Sequence, residues 1–337
     1  MLQERFLAQQ NTLSDWEKEL FLFLEEWFSN ADFVVAQTSG STGEPKDIRL
    51  PKQIMINSAS RTIRYFGLKD ADRLLLSLPC RYIAGKMMVV RAIVGQMNLI
   101  TVDPSSDFEF LLQQTFDLGA MVPNQIAKIL EKPSGKTYLE NIHNLLIGGS
   151  AISGQLEQQV RKLENRCVIT YGMTETASHI AIRELSGKRY SESYHCLPGI
   201  TIAIDDRGCL LIHHPDFQEP FRTNDVAEIH DEKSFRILGR SDSVIISGGI
   251  KYQPESIEKK LEKLIAERFV ISSVPDDKLG QKLVLVIEGK AFDTSNLLQE
   301  IKTILTPYEL PGKIFFVEKL PQTTTGKVKR SEINDFL

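Results

Sequence analysis

Residues 37–46, Q-T-S-G-S-T-G-E-P-K, gather two glycines, two threonines, two serines and a lysine. Such a stretch suits an anion. Glycines Gly40 and Gly43 let backbone N–H groups approach a phosphate, the Thr38, Ser39, Ser41 and Thr42 hydroxyls add donors, and Lys46 adds charge. The spacing is not that of the common phosphate loop. A Walker loop needs G-x-x-x-x-G-K-[ST], whereas here Lys46 stands between Pro45 and Asp47. A G-x-G-x-x-G dinucleotide fingerprint is absent as well. Taken alone, the stretch is compatible with a phosphate cradle or with a plain polar loop. Two more segments carry reactive residue types: Y-G-M-T-E-T-A-S (171–178) and T-T-T-G-K-V-K-R (323–330). By themselves they too have ordinary readings. A tyrosine ending a strand usually packs in the core. A lysine in a basic run is usually solvated, and such a run could touch nucleic acid.

The bulk numbers narrow the class. The chain has 337 residues, enough for two or three domains or subdomains. Apolar residues make up 42% and charged residues 25%, the balance of a packed globular chain rather than a disordered one. A net charge of −4 gives no global reason to expect nucleic acid as partner. Cys80, Cys167, Cys196 and Cys209 lack C-x-x-C spacing, which argues against a structural zinc site or a disulfide framework and suits a reducing compartment. No apolar run approaches the roughly 18 residues of a membrane span. The opening M-L-Q-E-R-F-L-A-Q-Q lacks the basic-then-apolar pattern of a signal peptide. These features point to a cytoplasmic protein without membrane insertion.

The elements that must position the chemistry follow from periodicity. Leu13, Trp16, Leu20, Phe23, Leu24 and Trp27 recur at helical spacing, with acidic residues on the other face. From residue 33 to about 172, short apolar strands alternate with amphipathic helices. That is the pattern of a mostly parallel sheet covered on both faces. Strands are expected at F-V-V-A-Q, R-L-L-L-S-L-P, N-L-I-T-V, L-G-A-M-V-P, N-L-L-I-G-G and C-V-I-T-Y-G. The helices between them include D-F-E-F-L-L-Q-Q (107–114). After residue 198 the pattern changes to two hairpins turning at D-D-R-G and D-E-K-S, an antiparallel β subdomain. After Gly239 come a helix from Pro254 through Phe269, two strands, a helix and a last strand, a small α+β domain of about ninety residues. The fold class is α/β. A large N-terminal domain spans 1–240, with an α/β core at 33–197 and a β subdomain at 198–240. A small, mobile α+β domain spans 241–337.

The glycine loop, [ST]-S-G-[ST]-T-G-x-P-K, resembles the signature loop of the acyl-adenylate-forming (AMP-binding) superfamily. Five further segments resemble that family's motifs in the same order: I-G-G-S (147–150), Y-G-M-T-E-T-A-S (171–178), R-T-N-D-V-A-E-I (222–229), the hinge segment 239–258, and L-P-Q-T-T-T-G-K-V-K-R (320–330). The resemblance runs from about residue 33 to the end. It implies an enzyme that activates a carboxylic acid with ATP and Mg²⁺ and passes the acyl group to a thiol such as that of CoA. A carboxylate is a poor acyl donor because its leaving group would be oxide. Attack on the α-phosphate expels pyrophosphate and makes AMP the leaving group. The protein must hold two anions in line and neutralise charge at that phosphorus.

By this resemblance, Thr38, Ser39, Gly40, Ser41, Thr42, Gly43 and Lys46 wrap the β- and γ-phosphates. Tyr171 stacks on adenine beside Gly148 and Gly149. Thr174 meets the α-phosphate and Glu175 holds Mg²⁺, a hard cation that prefers oxygen. Asp225 and Arg240 hold the ribose. Lys327 reaches the α-phosphate and the attacking carboxylate. Asp242 matches the hinge about which the C-terminal domain turns between the two half-reactions, and Gly248 and Gly249 match the face that helps form the CoA channel.

Three departures stand out. Tyr82 occupies the usual histidine of L-P-x-x-H-x-x-G. Asn224 replaces the glycine of T-G-D. The signature loop begins at residue 37, where the family usually has a substantial preceding segment. A wall of the usual large domain is then missing, rebuilt, or supplied by a partner, and a homodimer is one way to cover it. Arg81, Lys86 and Arg91 lie around the expected acyl pocket, with Tyr82 at its gate and Ser178 and His179 after the Y-G-M-T-E motif. Cations there suit a second carboxylate on the substrate; they could equally be solvated or bind CoA phosphates. Y-G-M-T-E-T-A-S-H-I-A and V-I-I-S-G-G-I-K-Y-Q-P-E-S-I-E look most like the o-succinylbenzoate–CoA ligase branch of menaquinone synthesis, whose substrate is an aromatic dicarboxylate. Another aryl- or acyl-CoA ligase, a carrier-loading adenylation enzyme, and a catalytically silent binding relative stand as alternatives. The intact Glu175, Asp225 and Lys327 argue against the last.

Overall fold

The structure, a computed structural model, describes residues 13–37, 47–105, 108–109, 112–186, 189–323 and 327–337. The chain divides into two compact units. One is built from residues up to 151 and from 160 to 200, the other from 152–159 and 201–337.

The first unit begins with α1 (Asp15–Phe28). Ser14 and Glu17 close its N-terminus as a capping box, and Leu20, Phe21, Phe23 and Trp27 are buried. Glu26 on this helix accepts the Val35 N–H at 2.6 Å, tying α1 to β1 (Phe33–Gln37). β1 pairs antiparallel with β2 (Asp47–Pro51), Gln37 opposite Asp47. This corrects the expectation that F-V-V-A-Q belongs to the parallel sheet. Nine residues separate the two strands, too few for the crossover that a parallel neighbour requires. Next come α2 (Lys52–Phe66), β3 (Arg73–Leu76), α3 (Ile83–Val94), β4 (Asn98–Thr101), β5 (Phe116–Met121), α4 (Pro123–Leu130), α5 (Gly135–Glu140) and β6 (Ile142–Ile147). The unit closes with β7 (Arg166–Gly172), β8 (His179–Glu184) and β9 (Tyr194–Cys196). Its sheet runs β9–β8–β7–β6–β5–β3–β4; β7 through β4 are parallel, while β8 and β9 are antiparallel additions. The parallel strands are apolar runs with Leu74, Leu75, Phe116, Leu118, Leu145 and Val168 fully buried. Each such side chain contributes about 1.5–3 kcal/mol of burial. Of the helix expected at 107–114, residues 107, 110 and 111 lie outside the described residues, and 112–113 form a turn.

The second unit holds α6 (Gly154–Val160) and four antiparallel strands in sequence order, β10 (Thr201–Ile204), β11 (Cys209–His213), β12 (Phe221–Asp231) and β13 (Ser234–Arg240). A single-turn segment, Ser241–Ser243, leads to a hairpin of β14 (Ile245–Ser247) and β15 (Ile250–Tyr252). Gly248 and Gly249 form its two-residue turn with φ of +57° and +80°, the left-handed pair that such a turn demands. After α7 (Pro254–Leu261), β16 (Phe269–Asp276) and β17 (Gly280–Glu288) pair antiparallel, and β18 (Ile314–Val317), reached through α8 (Ser295–Ile304), adds to β17 in parallel. α7 stops eight residues short of the expected end. Leu264 and Ile265 both donate to the Leu261 carbonyl, so the chain goes on in turns while Ile257, Leu261 and Ile265 keep the helical spacing that buries them.

Candidate functional site

The candidate residues separate into one group in each unit. The loop residues Thr38, Ser39, Gly40, Ser41, Thr42, Gly43 and Lys46 lie outside the described residues.

In the first unit, β6 ends at Ile147 and delivers Gly148 and Gly149. A Cβ on Gly148 would lie 2.4 Å from Thr170 Oγ1, and Gly149 has φ of +85°. Both positions therefore need glycine, for close approach and for backbone geometry respectively. Tyr171, at the end of β7, sets its ring 5.7 Å from that of Tyr194. The turn after β7 is held from within. Thr176 Oγ1 accepts the Met173 N–H at 3.2 Å and also lies 3.0 Å from the Met173 carbonyl and 2.8 Å from that of Ser178. Ala177, fully buried, takes φ of +61°, and its N–H donates to the Thr174 carbonyl at 2.9 Å. Thr174 and Glu175 are thus presented on a locked turn. The residue types of Y-G-M-T-E-T gave no signal for this role of Thr176. A lone hydroxyl just beyond the Y-G-M-T-E motif looks like surface.

Arg91 lies on α3, where Gly85 through Ala92 are all buried. Its Nη2 donates to Ser178 Oγ at 2.7 Å and stands 3.5 Å from His179 Nδ1. Ser178 Oγ is 3.2 Å from the same nitrogen, and His179 Nε2 is 3.4 Å from Thr62 Oγ1 on α2. A neutral ring fits: Nδ1 accepts, and Nε2–H faces Thr62, whose own hydroxyl donates to the Ser58 carbonyl. Burial, with the Arg91 and Arg61 guanidiniums nearby, holds His179 well below its ordinary 6.5. Burial also lowers Arg91, to about 10. Arg91 is 2% exposed, its Nε is buried with no hydrogen-bond partner, and among the described residues no carboxylate pairs with it. Sequence reasoning reached Arg91, Ser178 and His179 but missed Thr62, which lies 117 residues from His179.

The other two cations go elsewhere. Lys86 is buried, 3.7 Å from Glu26 Oε2, with its ammonium 4.5 Å from the centre of the Phe23 ring. Arg81 lies 3.6 Å from Glu19 and 4.9 Å over the Tyr82 ring. Both cations thus stand near carboxylates of α1, Lys86 at Glu26 and Arg81 at Glu19. Tyr82 caps α3 and bridges Gln37, the residue before the glycine loop.

The histidine makes a stability prediction. As pH falls through 6.5, the unfolded chain takes up a proton that the folded His179 refuses, so the folded state loses stability on acidification. Melting above and below pH 6.5 measures this, and His179→Gln is expected to shrink the difference. An undiminished difference would assign the acid sensitivity to other groups.

In the second unit, Asp225 on β12 faces Arg240 on β13 across the ladder, and Arg240 Nη1 lies 3.2 Å from Asp225 Oδ1. Arg240 also grips Asp242, through Nε at 2.8 Å and Nη2 at 2.5 Å, and Asn224 Nδ2 reaches Asp242 at 3.4 Å. The Asn224 departure thus supplies a contact to the expected hinge residue that glycine could not. Lys327 is close enough to Asp225 and Arg240 for both charges to act on it. Burial lowers it from the usual 10.5, Asp225 raises it and Arg240 lowers it. Its backbone is pinned by reciprocal bonds, Lys327 N–H to Thr323 Oγ1 at 3.1 Å and Thr323 N–H to the Lys327 carbonyl at 2.8 Å. The four residues expected at ribose, hinge and α-phosphate therefore converge within one unit. Among the described residues, no cluster of three or more His, Cys, Asp or Glu is placed to hold a metal ion.

Residues 7–213 match the family described as AMP-binding enzyme. The chain belongs to the AMP-binding enzyme family. This AMP-binding protein is 27% identical to the 2-succinylbenzoate–CoA ligase of Listeria monocytogenes, over 96% of this chain and 74% of that protein. It is 25% identical to the indoleacetate–CoA ligase of Aromatoleum aromaticum, over 90% of this chain and 67% of that one. Among solved structures, an acyl-CoA synthetase (AMP-forming)/AMP-acid ligase II-like protein from Dyadobacter fermentans is 36% identical, covering 96% of this chain and 95% of that one at a TM-score of 0.64. The o-succinylbenzoate coenzyme A synthetase of Bacillus subtilis, solved with ATP and magnesium, is 22% identical over 89% of this chain and 69% of that one, with a TM-score of 0.75. This second likeness supports the fold alone.

Proposed function

We propose that this AMP-binding enzyme is an acid–CoA ligase acting on an aromatic dicarboxylate, o-succinylbenzoate, in menaquinone synthesis. In the first half-reaction a carboxylate oxygen attacks the α-phosphorus of ATP, giving acyl-AMP and pyrophosphate. In the second, the CoA thiolate attacks the acyl carbon and AMP leaves. Lys327 supplies positive charge at the α-phosphate and the incoming carboxylate. Asp225, supported by Arg240, accepts hydrogen bonds from the ribose hydroxyls. Tyr171, Gly148 and Gly149 receive adenine, and Thr174 meets the α-phosphate. Glu175 offers the carboxylate oxygen that a hard Mg²⁺ arriving with ATP prefers. The loop 38–46 takes the β- and γ-phosphates. Asp242 is the hinge, Gly248 and Gly249 face the pantetheine, and the divide between the large and small domains falls at 240/241.

One observation carries the choice of acid. Arg91 is a buried guanidinium whose three bonded groups, Ser178, His179 and the Met88 thioether, are all neutral, with no protein carboxylate beside it among the described residues. A buried cation is costly unless an anion answers it. A substrate bearing a second carboxylate supplies that anion in fork geometry. Together with the ligases named above, this favours o-succinylbenzoate over a monocarboxylate. None of the described helices is long and apolar enough to cross a membrane. We place the enzyme in the cytoplasm, where its small-molecule partners are, and leave a homodimer as a proposal for sizing.

The test is pyrophosphate release from Mg·ATP with o-succinylbenzoate, benzoate, indoleacetate, a medium-chain fatty acid and several amino acids, each with and without CoA. Turnover confined to o-succinylbenzoate with CoA is expected. Preference for a monocarboxylate would discard the dicarboxylate reading. Silence with every acid would favour a binding protein.

A further inference from the structure

A row of polar contacts ties the hinge to the C-terminal lysine segment, and none of the roles above uses it. Ser243, directly after Asp242, places its Oγ 3.0 Å from the Arg240 carbonyl and 2.7 Å from Glu255 Oε1. That same Glu255 oxygen is 3.4 Å from Arg330 Nε. Arg330 then pairs through Nη2 with Glu258 Oε2 at 2.5 Å and donates through Nη1 to the Ile271 carbonyl at 3.1 Å. The other Glu258 oxygen accepts the Ile271 N–H at 2.6 Å. Arg330 follows Lys327 by three residues. β13 leaves room for the row as well: a Cβ on Gly239 would sit 2.7 Å from Glu255 Oε2.

We propose that Ser243, Glu255 and Arg330 are positioning residues for the adenylation half-reaction, coupling the conformation of the hinge to the placement of Lys327. The inference rests on the ligase reading. A planar guanidinium held between two carboxylates and a backbone carbonyl has one preferred orientation, and a partly buried pair resists being broken singly. The segment carrying Lys327 is thereby fixed from its C-terminal side. Ser243 links this fixed point to the turn that begins at Arg240, whose own fork holds Asp225 and Asp242. When the hinge turns, the small domain carries Ser243 away from the Arg240 carbonyl, and the restraint on the lysine segment relaxes with it. Lys327 is then held in place only in the arrangement that needs it.

The experiment separates the half-reactions in Ser243→Ala, Ser243→Thr and Arg330→Lys. Ser243→Ala is expected to slow single-turnover acyl-AMP formation about tenfold, the scale of a modest misplacement of a catalytic group. Thioester formation from preformed acyl-AMP should stay within about twofold of wild type. Ser243→Thr, which keeps the hydroxyl, should restore adenylation, and Arg330→Lys, which keeps charge but not the fork, should behave like Ser243→Ala. Equal loss of both half-reactions, or no loss in either variant, overturns the proposal. A second readout does not depend on turnover. Acylation of Lys327 by an amine-directed reagent, followed by mass spectrometry, should be faster in Ser243→Ala and Arg330→Lys than in wild type, and unchanged reactivity overturns the proposal even if wild type releases no pyrophosphate. That silence in wild type would instead count against the ligase reading.

Discussion

Lys327→Ala is expected to lower acyl-AMP formation by about a hundred- to a thousandfold, the usual effect of deleting one donor aimed at developing charge, about 2.7–4 kcal/mol. Thioester formation from preformed acyl-AMP should change little, because the lysine's target, the α-phosphate under attack, is absent from that step. The geometry supports a lysine held for one task. Its backbone is pinned to Thr323 on both sides, and its ammonium feels Asp225 and Arg240 together. Burial makes a pH signature follow. A lysine must be charged to stabilise the transition state, and this one gives up its proton below the 10.5 of a free side chain. The kcat/KM for adenylation, which reports the free enzyme, should therefore fall on an alkaline limb below pH 10.5, and Lys327→Arg should move that limb upward. Equal loss of both half-reactions in Lys327→Ala would contradict the assignment.

Arg91→Met is expected to erase the preference for a dicarboxylate. Hydrogen bonds to a charged group contribute about 1.5–3 kcal/mol each, so the kcat/KM ratio of o-succinylbenzoate to benzoate should drop roughly a hundredfold, with benzoate itself little affected. The melting temperature should not fall. A buried guanidinium without a counter-charge costs stability, and a thioether of similar length removes that cost, while Ser178 and His179 keep the 3.2 Å contact they already share. Lost activity without lost stability is the mark of a residue kept for its ligand. A matched loss for both acids, or a collapse in stability, would make Arg91 structural.

The parallel strands were legible because a strand buried on both faces is a short apolar run, and the runs at 73–76, 116–121 and 142–147 stand between amphipathic helices. β8 was not. H-I-A-I-R-E is buried nearly throughout, so it shows no alternation, and it follows a motif that reads as loop. β14 and β15 are three residues each, too short for a period. β1 was recognised as a strand but assigned to the wrong sheet, since nothing in F-V-V-A-Q says which neighbour it takes. The protein partners of Lys86 were not legible, for a physical reason. α3 is buried all round, so a cation on it need not face a ligand pocket; this one meets Glu26 and Phe23, some sixty residues earlier in the chain. Arg91 was visible as a cation, but its meaning lies in Ser178 and His179, 87 and 88 residues away, and in the lack of a carboxylate among its contacts. No window of sequence contains that.

The route of one oxygen atom tests the central claim most directly. With o-succinylbenzoate labelled with ¹⁸O in its carboxylates, plus ATP, Mg²⁺ and CoA, the account predicts that the released AMP carries one ¹⁸O and the pyrophosphate none, because a carboxylate oxygen becomes the bridge to the α-phosphorus and leaves with AMP. Unlabelled AMP, or ADP and labelled phosphate in its place, would contradict it.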